Sequence, residues 1–171
     1  MALEISFARP TAVTEVTDLV NRVYADAEKG LWLPGTQRTD ETEVASVIAA
    51  DELAVARAGT ALLGAVRVQR LPGGEGEFGM LAADPAHRGV GVGRELVTFA
   101  ERWARQQGLT TMQLELLVPR DWTHPVKEFL REWYTRIGYR PVRRDPFEIA
   151  YPNLEPRLAT PCDFVVYHKP L

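Results

Sequence analysis

Apolar and polar residues alternate over residues 3–8, a spacing of two that predicts a strand. From Pro10 the spacing changes. Val13, Val16, Leu19, Val20 and Val23 recur every three or four residues, which places them on one buried face of a helix ending near Gly30. Residues 31–39 (LWLPGTQRT) contain a Pro-Gly pair and predict a loop. Asp40 with Glu43 three residues on resembles a capping box, so a second helix is expected to about Ala50. Residues 53–57 and 61–70 are β-like around a turn at Gly59. A longer turn over 71–76 leads to a strand at 77–83, closed by Asp84-Pro85.

A glycine-rich turn over 87–93 comes next, then a helix at 94–107 with Leu96, Phe99, Ala100, Trp103 and Ala104 on one face. Gly108 ends it. Residues 110–118 predict a strand with Met112, Leu114, Leu116 and Val118 on one side and Gln113 and Glu115 on the other. Pro125 suits the first turn of a helix running to Ile137. Its expected apolar stripe is Val126, Phe129, Leu130, Trp133 and Ile137. Residues 139–144 and 164–168 are the last strands, joined by a proline-rich connection. The order β-α-α-β-β-β-α-β-α-β-β predicts an α/β (α+β) fold, a mixed sheet with helices on both faces. No repeat, low-complexity tract or linker divides it, so residues 1–171 are expected to form a single domain.

Composition acts mainly by exclusion. At 46% hydrophobic and 25% charged, the chain is neither disordered nor a coiled coil. A lone cysteine, Cys162, excludes an internal disulfide framework and a zinc site of several thiolates. His87, His124 and His168 lack ligand spacing, so no metal is expected. A net charge of −3 argues against nucleic acid and an anionic membrane as partners. With no leader-like start and no spanning apolar run, a soluble cytoplasmic protein is expected. The charge is uneven: residues 1–80 carry seven basic and twelve acidic groups, residues 81–171 thirteen and eleven. That fits an anionic ligand in the second half and a cationic one against the first, and it also fits chance.

The sharpest chemical feature is Arg88-Gly89-Val90-Gly91-Val92-Gly93-Arg94, between a strand and a helix. Its glycines allow positive φ and close backbone approach. A turn into a helix aims N–H groups at one point, the helix dipole adds positive potential, and Arg88 and Arg94 add charge matched to phosphate. A polyphosphate anion is the favoured ligand. A Walker A loop does not fit, because Arg-Glu follows Gly93, and a GxGxxG dinucleotide loop does not fit, because Leu96 stands at its last position.

Arg88…Gly91…Gly93, after a strand ending Met80-Leu-Ala-Ala-Asp-Pro85, resembles the acyl-CoA pyrophosphate loop of the general N-acetyltransferase (GNAT) superfamily. Residues 129–139 (FLREWYTRIGY) resemble its second motif, a helix carrying a tyrosine and closing in Gly-Tyr, and the element order matches throughout. The resemblance implies a mostly antiparallel sheet in which one parallel strand pair splays apart to admit the pantetheine arm. It implies acetyl-CoA as cofactor, with pyrophosphate on the N–H groups of Gly89, Val90, Gly91, Val92, Gly93 and Arg94 and pantetheine along Leu81, Ala82 and Ala83. The implied reaction is direct attack of an amine on the thioester.

That chemistry needs a base for the amine proton, a donor for the carbonyl oxygen and an acid for the thiolate. The resemblance implies Tyr134 as acid, a backbone N–H near Leu81 as the oxygen donor and Glu77 as base, with Glu115 second choice and Glu75 third. Lys127 stands where the family often has asparagine, and is expected to reach a CoA phosphate instead. Trp32, Gln37, Arg38 and Thr39, in the loop between the first two helices, are candidates for binding the acceptor, and Trp122 and His124 are candidates to line its other side. Cys162 has no activating neighbour and is taken as structural.

The reading is an acetyl-CoA-dependent N-acetyltransferase acting on a small primary amine, with a cationic acceptor mildly favoured. A homodimer is compatible with it. Its alternatives are a non-catalytic acyl-CoA sensor and a protein-lysine or N-terminal acetyltransferase.

Overall fold

The structure, a computed structural model, describes residues 2–171. The strands are β1 (Glu4–Phe7), β2 (Leu53–Ala58), β3 (Ala61–Arg70), β4 (Gly76–Ala83), β5 (Thr111–Pro119), β6 (Arg140–Pro146) and β7 (Cys162–Pro170). The helices are α1 (Val13–Ala27), α2 (Glu41–Ala49), α3 (Val92–Gln106), α4 (Pro125–Arg136) and a single turn, α5 (Phe147–Ala150). Apart from α5, this is the expected order. The strands form one sheet, β1-β2-β3-β4-β5-β7-β6, in which β4–β5 is the parallel pair and the other neighbours are antiparallel.

Helices cover both faces of the β1–β4 half, so its strands are apolar on both sides instead of alternating. Ala54, Ala56, Val66, Val68 and Phe78 pack under α3 and α4 with Leu96, Ala100 and Tyr139. Leu53, Val55, Ala65, Met80 and Ala82 pack on the opposite face against Val16 and Val20 of α1 and Val44 and Ile48 of α2. A third cluster, Leu31, Leu117, Phe147 and Cys162, ties the loop after α1 to the segment before β7. Asp40 caps α2 by accepting from the Glu43 N–H at 2.8 Å.

Helix α4 keeps most of its expected stripe, with Leu130, Trp133 and Ile137 packed on the core, but not all of it. Phe129 is 60% exposed, whereas Lys127 and Tyr134 are buried. The helix turns to the sheet the face that carries the lysine, because a buried carboxylate waits there for it. Nζ of Lys127 lies 2.6 Å from Oε2 of Glu28, at the end of α1. The two helices lie on opposite faces of the sheet, and this pair meets where the sheet is open.

Candidate active site

Strands β4 and β5 pair only at Gly76↔Met112 and Glu77↔Gln113, then separate into a V that opens toward their C-terminal ends. The β4 edge facing β5 therefore carries unpaired backbone groups beyond Glu77. Inside the V, β4 also carries a bulge. Ala65 of β3 faces Ala82 and Arg67 faces Gly79, so two β4 residues, Met80 and Leu81, oppose Val66 alone. Met80 takes φ +50°, a strained value for a non-glycine. The bulge reverses the alternation of the strand. Phe78 packs beneath α3, whereas Met80 and Ala82 pack toward α1 and Leu81 and Ala83 toward α3. The one hint in the sequence is Gly79, an isolated glycine inside the strand, just before the bulge.

Beyond the bulge the chain enters the glycine loop. Gly91 is the residue before α3, at φ +83°, and no side chain caps the helix. No heavy atom lies within 4 Å of where a Cβ would sit at Gly89 or Gly91, so this face of the loop is open. Arg88 and Arg94 flank it, exposed. Uncapped N–H groups at a helix N-terminus with two flanking guanidiniums suit a pyrophosphate. Val92 is buried and Val90 is exposed. Gly64 of β3 holds the helix in place. A Cβ there would lie 2.6 Å from Val92 Cγ1 and 2.8 Å from the Ala82 carbonyl, so only glycine lets α3 sit this low on the sheet. A coenzyme A thioester fits these residues: an open anion loop, a free strand edge and a gap between strands.

Tyr134 sits at the V with its ring against Phe78 and Tyr139. Burial pushes its phenol up, and the Tyr24 phenol of α1 adds to this, so Tyr134 is protonated throughout the neutral range. The neighbouring Tyr139 is committed elsewhere, donating to Glu101 at 2.8 Å. Burial raises Tyr24 as well, opposed by Arg38, whose guanidinium lies 5.3 Å from the ring centre, and by the Leu81 backbone N–H. Tyr24 was not anticipated from the sequence, where it is one more residue on an amphipathic helix.

On the α1 side of the sheet, polar side chains form a row across adjacent strands. Glu77 accepts from Gln69 Nε2 at 3.1 Å and from Gln113 Nε2 at 2.8 Å. Gln113 Oε1 lies 2.7 Å from His168 Nε2. Burial pushes the Glu77 carboxyl up from its ordinary value, with Glu115 adding and Gln113, Gln69 and Arg67 opposing. Glu115 accepts from the Tyr151 hydroxyl at 2.9 Å. Burial raises that phenol, followed by the charges of Glu115 and Glu77, while Arg38 acts the other way. The structure thus brings Glu77, Glu115, Tyr151 and Arg38 into one neighbourhood.

Other candidates are placed differently. Lys127 is buried in its pair with Glu28 and is not available to a phosphate. Trp32 donates from Nε1 to Glu28 at 3.0 Å and packs on Phe147, so it anchors the loop instead of lining the site. Gln37 is exposed in that loop, and Thr39 is buried, its N–H bonded to Asn21. Trp122 donates to Thr160 at 3.0 Å and lines a groove of about 600 Å³ with Arg131, Arg144 and Tyr167. Tyr167 is in register with Leu114, so this groove opens on the sheet face opposite Glu115. His124 caps α4: Nδ1 accepts from Val126 N–H at 3.2 Å and Nε2 donates to the Lys29 carbonyl at 2.9 Å. With both nitrogens used, it shuttles no proton. Cys162 is buried, and burial pushes its thiol up to about 11, which suits a structural residue. Among the described residues no cluster suits a metal ion, and no helix is long and apolar enough to cross a membrane.

A splayed parallel pair, a bulged strand and an open glycine loop at a helix N-terminus define a transferase that takes its acyl group from a coenzyme A thioester. The Acetyltransferase (GNAT) family profile matches residues 17–139, and the chain belongs to that family. No curated protein matches the sequence. Among solved structures, PaiA N-acetyltransferase from Thermoplasma acidophilum in complex with coenzyme A is 13% identical over 100% of both chains, with TM-score 0.76. Ribosomal-protein-alanine N-acetyltransferase from Brucella melitensis is 13% identical, covering 98% of this chain and 99% of that one, with TM-score 0.72. YncA from Salmonella typhimurium with acetyl-CoA is 15% identical over 100% of this chain and 95% of that one, with TM-score 0.70.

Proposed function

We propose that the protein moves an acetyl group from acetyl-CoA to the primary amine of a small, cationic molecule, by direct attack in a ternary complex. The observation that carries this reading is the half-buried Glu77, held by two amides beside Glu115 at the apex of the V. When bound, acetyl-CoA supplies the activated acetyl thioester. The loop at residues 88–94 holds its phosphates and the free edge of β4 aligns its arm. Glu77 takes the proton of the incoming ammonium, a task suited to a carboxylate raised toward neutrality. The Leu81 backbone N–H, which faces the Tyr24 hydroxyl in the free protein, would turn to the carbonyl oxygen as negative charge grows there, and the Tyr134 hydroxyl would protonate the departing thiolate and recover a proton from the newly acylated nitrogen.

Two carboxylates and the Tyr151 and Tyr24 rings suit a cationic acceptor. A bridge between Trp32 and Leu158 joins the loop after α1 to the segment before β7, and the two pack with Leu117, two residues beyond Glu115 on β5. That favours a compact acceptor over an extended peptide.

The test is release of free CoA thiol from acetyl-CoA across a panel of amines, including diamines, amino sugars and a lysine peptide. Thiol release that needs a small cationic amine supports the reading, and release only with the peptide overturns the acceptor class. Glu77→Gln is expected to lower kcat/KM by about 100-fold at neutral pH, within the range of general-base contributions.

A further inference from the structure

Glu77 is the first β4 residue of the site and sits in the last register before β4 and β5 part. Its partner in that register, Gln113, is in turn in register with His168 of β7. On the other side Gln69 of β3 faces Glu77 directly. Four neighbouring strands therefore present Gln69, Glu77, Gln113 and His168 side by side, joined by hydrogen bonds of 3.1, 2.8 and 2.7 Å.

The chemistry of this row fixes its direction. An ionised carboxylate only accepts, so Gln113 must turn its NH2 toward Glu77. Its carbonyl oxygen then faces His168 and needs a donor. The imidazole Nε2–H is that donor, and in this tautomer it opposes the flip that would aim the Gln113 oxygen at the Glu77 carboxylate. Such a flip would replace attraction with repulsion at the proposed base.

We propose that His168 is a positioning residue which, through Gln113, fixes the Glu77 carboxylate at the apex of the V in its proton-accepting state. This inference rests on the reading of Glu77 as the base, but its first test does not. The charged and titratable groups facing Glu77 are Glu115 of β5, Arg67 of β3 and Tyr151 just beyond α5. Facing His168 from the edge strand is Arg140, whose guanidinium is occupied by the Thr135 and Tyr139 carbonyls. None of these replaces the Gln113 contact.

The experiment is a carbon-13 titration of the Glu77 side-chain carboxyl in the cofactor-free protein, its signal assigned by its loss in Glu77→Gln. Gln113→Leu removes a donor and is expected to raise the midpoint by roughly one pH unit, a typical effect of one hydrogen bond to a carboxylate. His168→Leu is expected to raise it by a smaller amount in the same direction. His168→Gln, which keeps a donor facing Gln113, is expected to stay near the wild-type midpoint. If His168→Leu does not fold, His168→Asn, too short to span the gap, serves instead and is expected to shift likewise.

An unmoved midpoint in the variant lacking the donor overturns the proposal. The second readout is the acid limb of kcat/KM against pH, with one amine used throughout so that its own ionisation cancels. The limb should follow the carboxyl midpoint, giving about a three- to tenfold loss on the acid side and none on the plateau. A uniform loss at every pH marks a merely structural role and also overturns it. Full activity in Glu77→Gln, with the midpoints shifting as expected, removes the base reading and leaves the row as a tuned carboxylate.

Discussion

The glycine loop presents backbone groups, while the sheet surface facing α1 presents side chains from separate strands. Gly89, Gly91 and the start of α3 are consecutive in the chain, and their N–H groups are presented by the local turn itself. Glu77, Gln113 and His168 are up to 91 residues apart, and only the sheet register brings them together. A ligand common to a whole family can be held by a local motif. An acceptor that differs between relatives needs positions that can change without disturbing the turn, and strand side chains supply them.

This contrast predicts that the two sides fail differently. On the loop side, Gly91→Asp is expected to weaken acetyl-CoA binding by at least about 100-fold in calorimetric titration. The φ of +83° costs a side-chain-bearing residue ~1–2 kcal/mol, so the variant loop relaxes to another shape and must be drawn back on binding, and a carboxylate beside phosphate adds repulsion. No protein atom lies within 4 Å of the added Cβ, so any crowding is with the phosphate that the open face receives. Gly91→Ala isolates the backbone term and should lose about tenfold. If Arg88→Ala costs more than Gly91→Asp, side-chain charge governs the loop and the contrast breaks.

Lys127 tests the boundary between the two sides. By motif position it belongs with the cofactor, but by structure it belongs to the strut with Glu28, both side chains no more than 7% exposed. Lys127→Met leaves a buried carboxylate unpaired and is expected to cost about 3–5 kcal/mol of stability by denaturant unfolding. The double variant Glu28→Leu with Lys127→Leu should recover much of that. The opposite pattern, lost affinity for acetyl-CoA with stability intact, would return Lys127 to the cofactor side.

What was legible in the sequence follows the same division. The periodicity of α1, α3 and β5, the Asp40 cap and the glycine loop are local, so each could be read within a window of a dozen residues. The α4 stripe was right for Leu130, Trp133 and Ile137 and wrong for Phe129, and it missed Lys127 because Glu28, the partner buried with it, is 99 residues away. The positive φ of the bulge falls on Met80, one residue after the Gly79 that hints at it, and its cause lies in the pairing with β3, which no local window shows. Gln113 was visibly on the polar side of its strand. Its partners were not, because no pattern in one strand states which residue of another lies beside it. Tyr151 and α5 sat in a connection whose prolines hid a folded turn. Trp122 looked available because it is aromatic and follows the central strand, yet the pleat sends its groove to the other face.

The smallest expected effect concerns the cost of holding Glu77 in place. Burial raises its carboxyl above the unfolded value, so the native state binds this proton more tightly than the unfolded chain does. Stability from this group is then fully present below the unfolded value, near pH 4.5, and is lost as pH rises through the folded one. At neutral pH the wild-type protein carries an ionised, half-buried carboxylate, and Glu77→Gln does not. The amides can accommodate the change, because Gln113 can flip to accept from the new NH2 and His168 can accept through its other tautomer. Melting curves of the two proteins should therefore separate as pH rises from about 4.5 to 8, with the variant gaining by about 2 °C, a small shift for a chain of this size. The same substitution is expected to slow the reaction, so the position would be kept for chemistry at the expense of stability. Parallel melting curves across this pH range would mean that Glu77 titrates alike in both states. The acceptor face would then hold an ordinary carboxylate, and its difference from the glycine loop would lie in geometry alone.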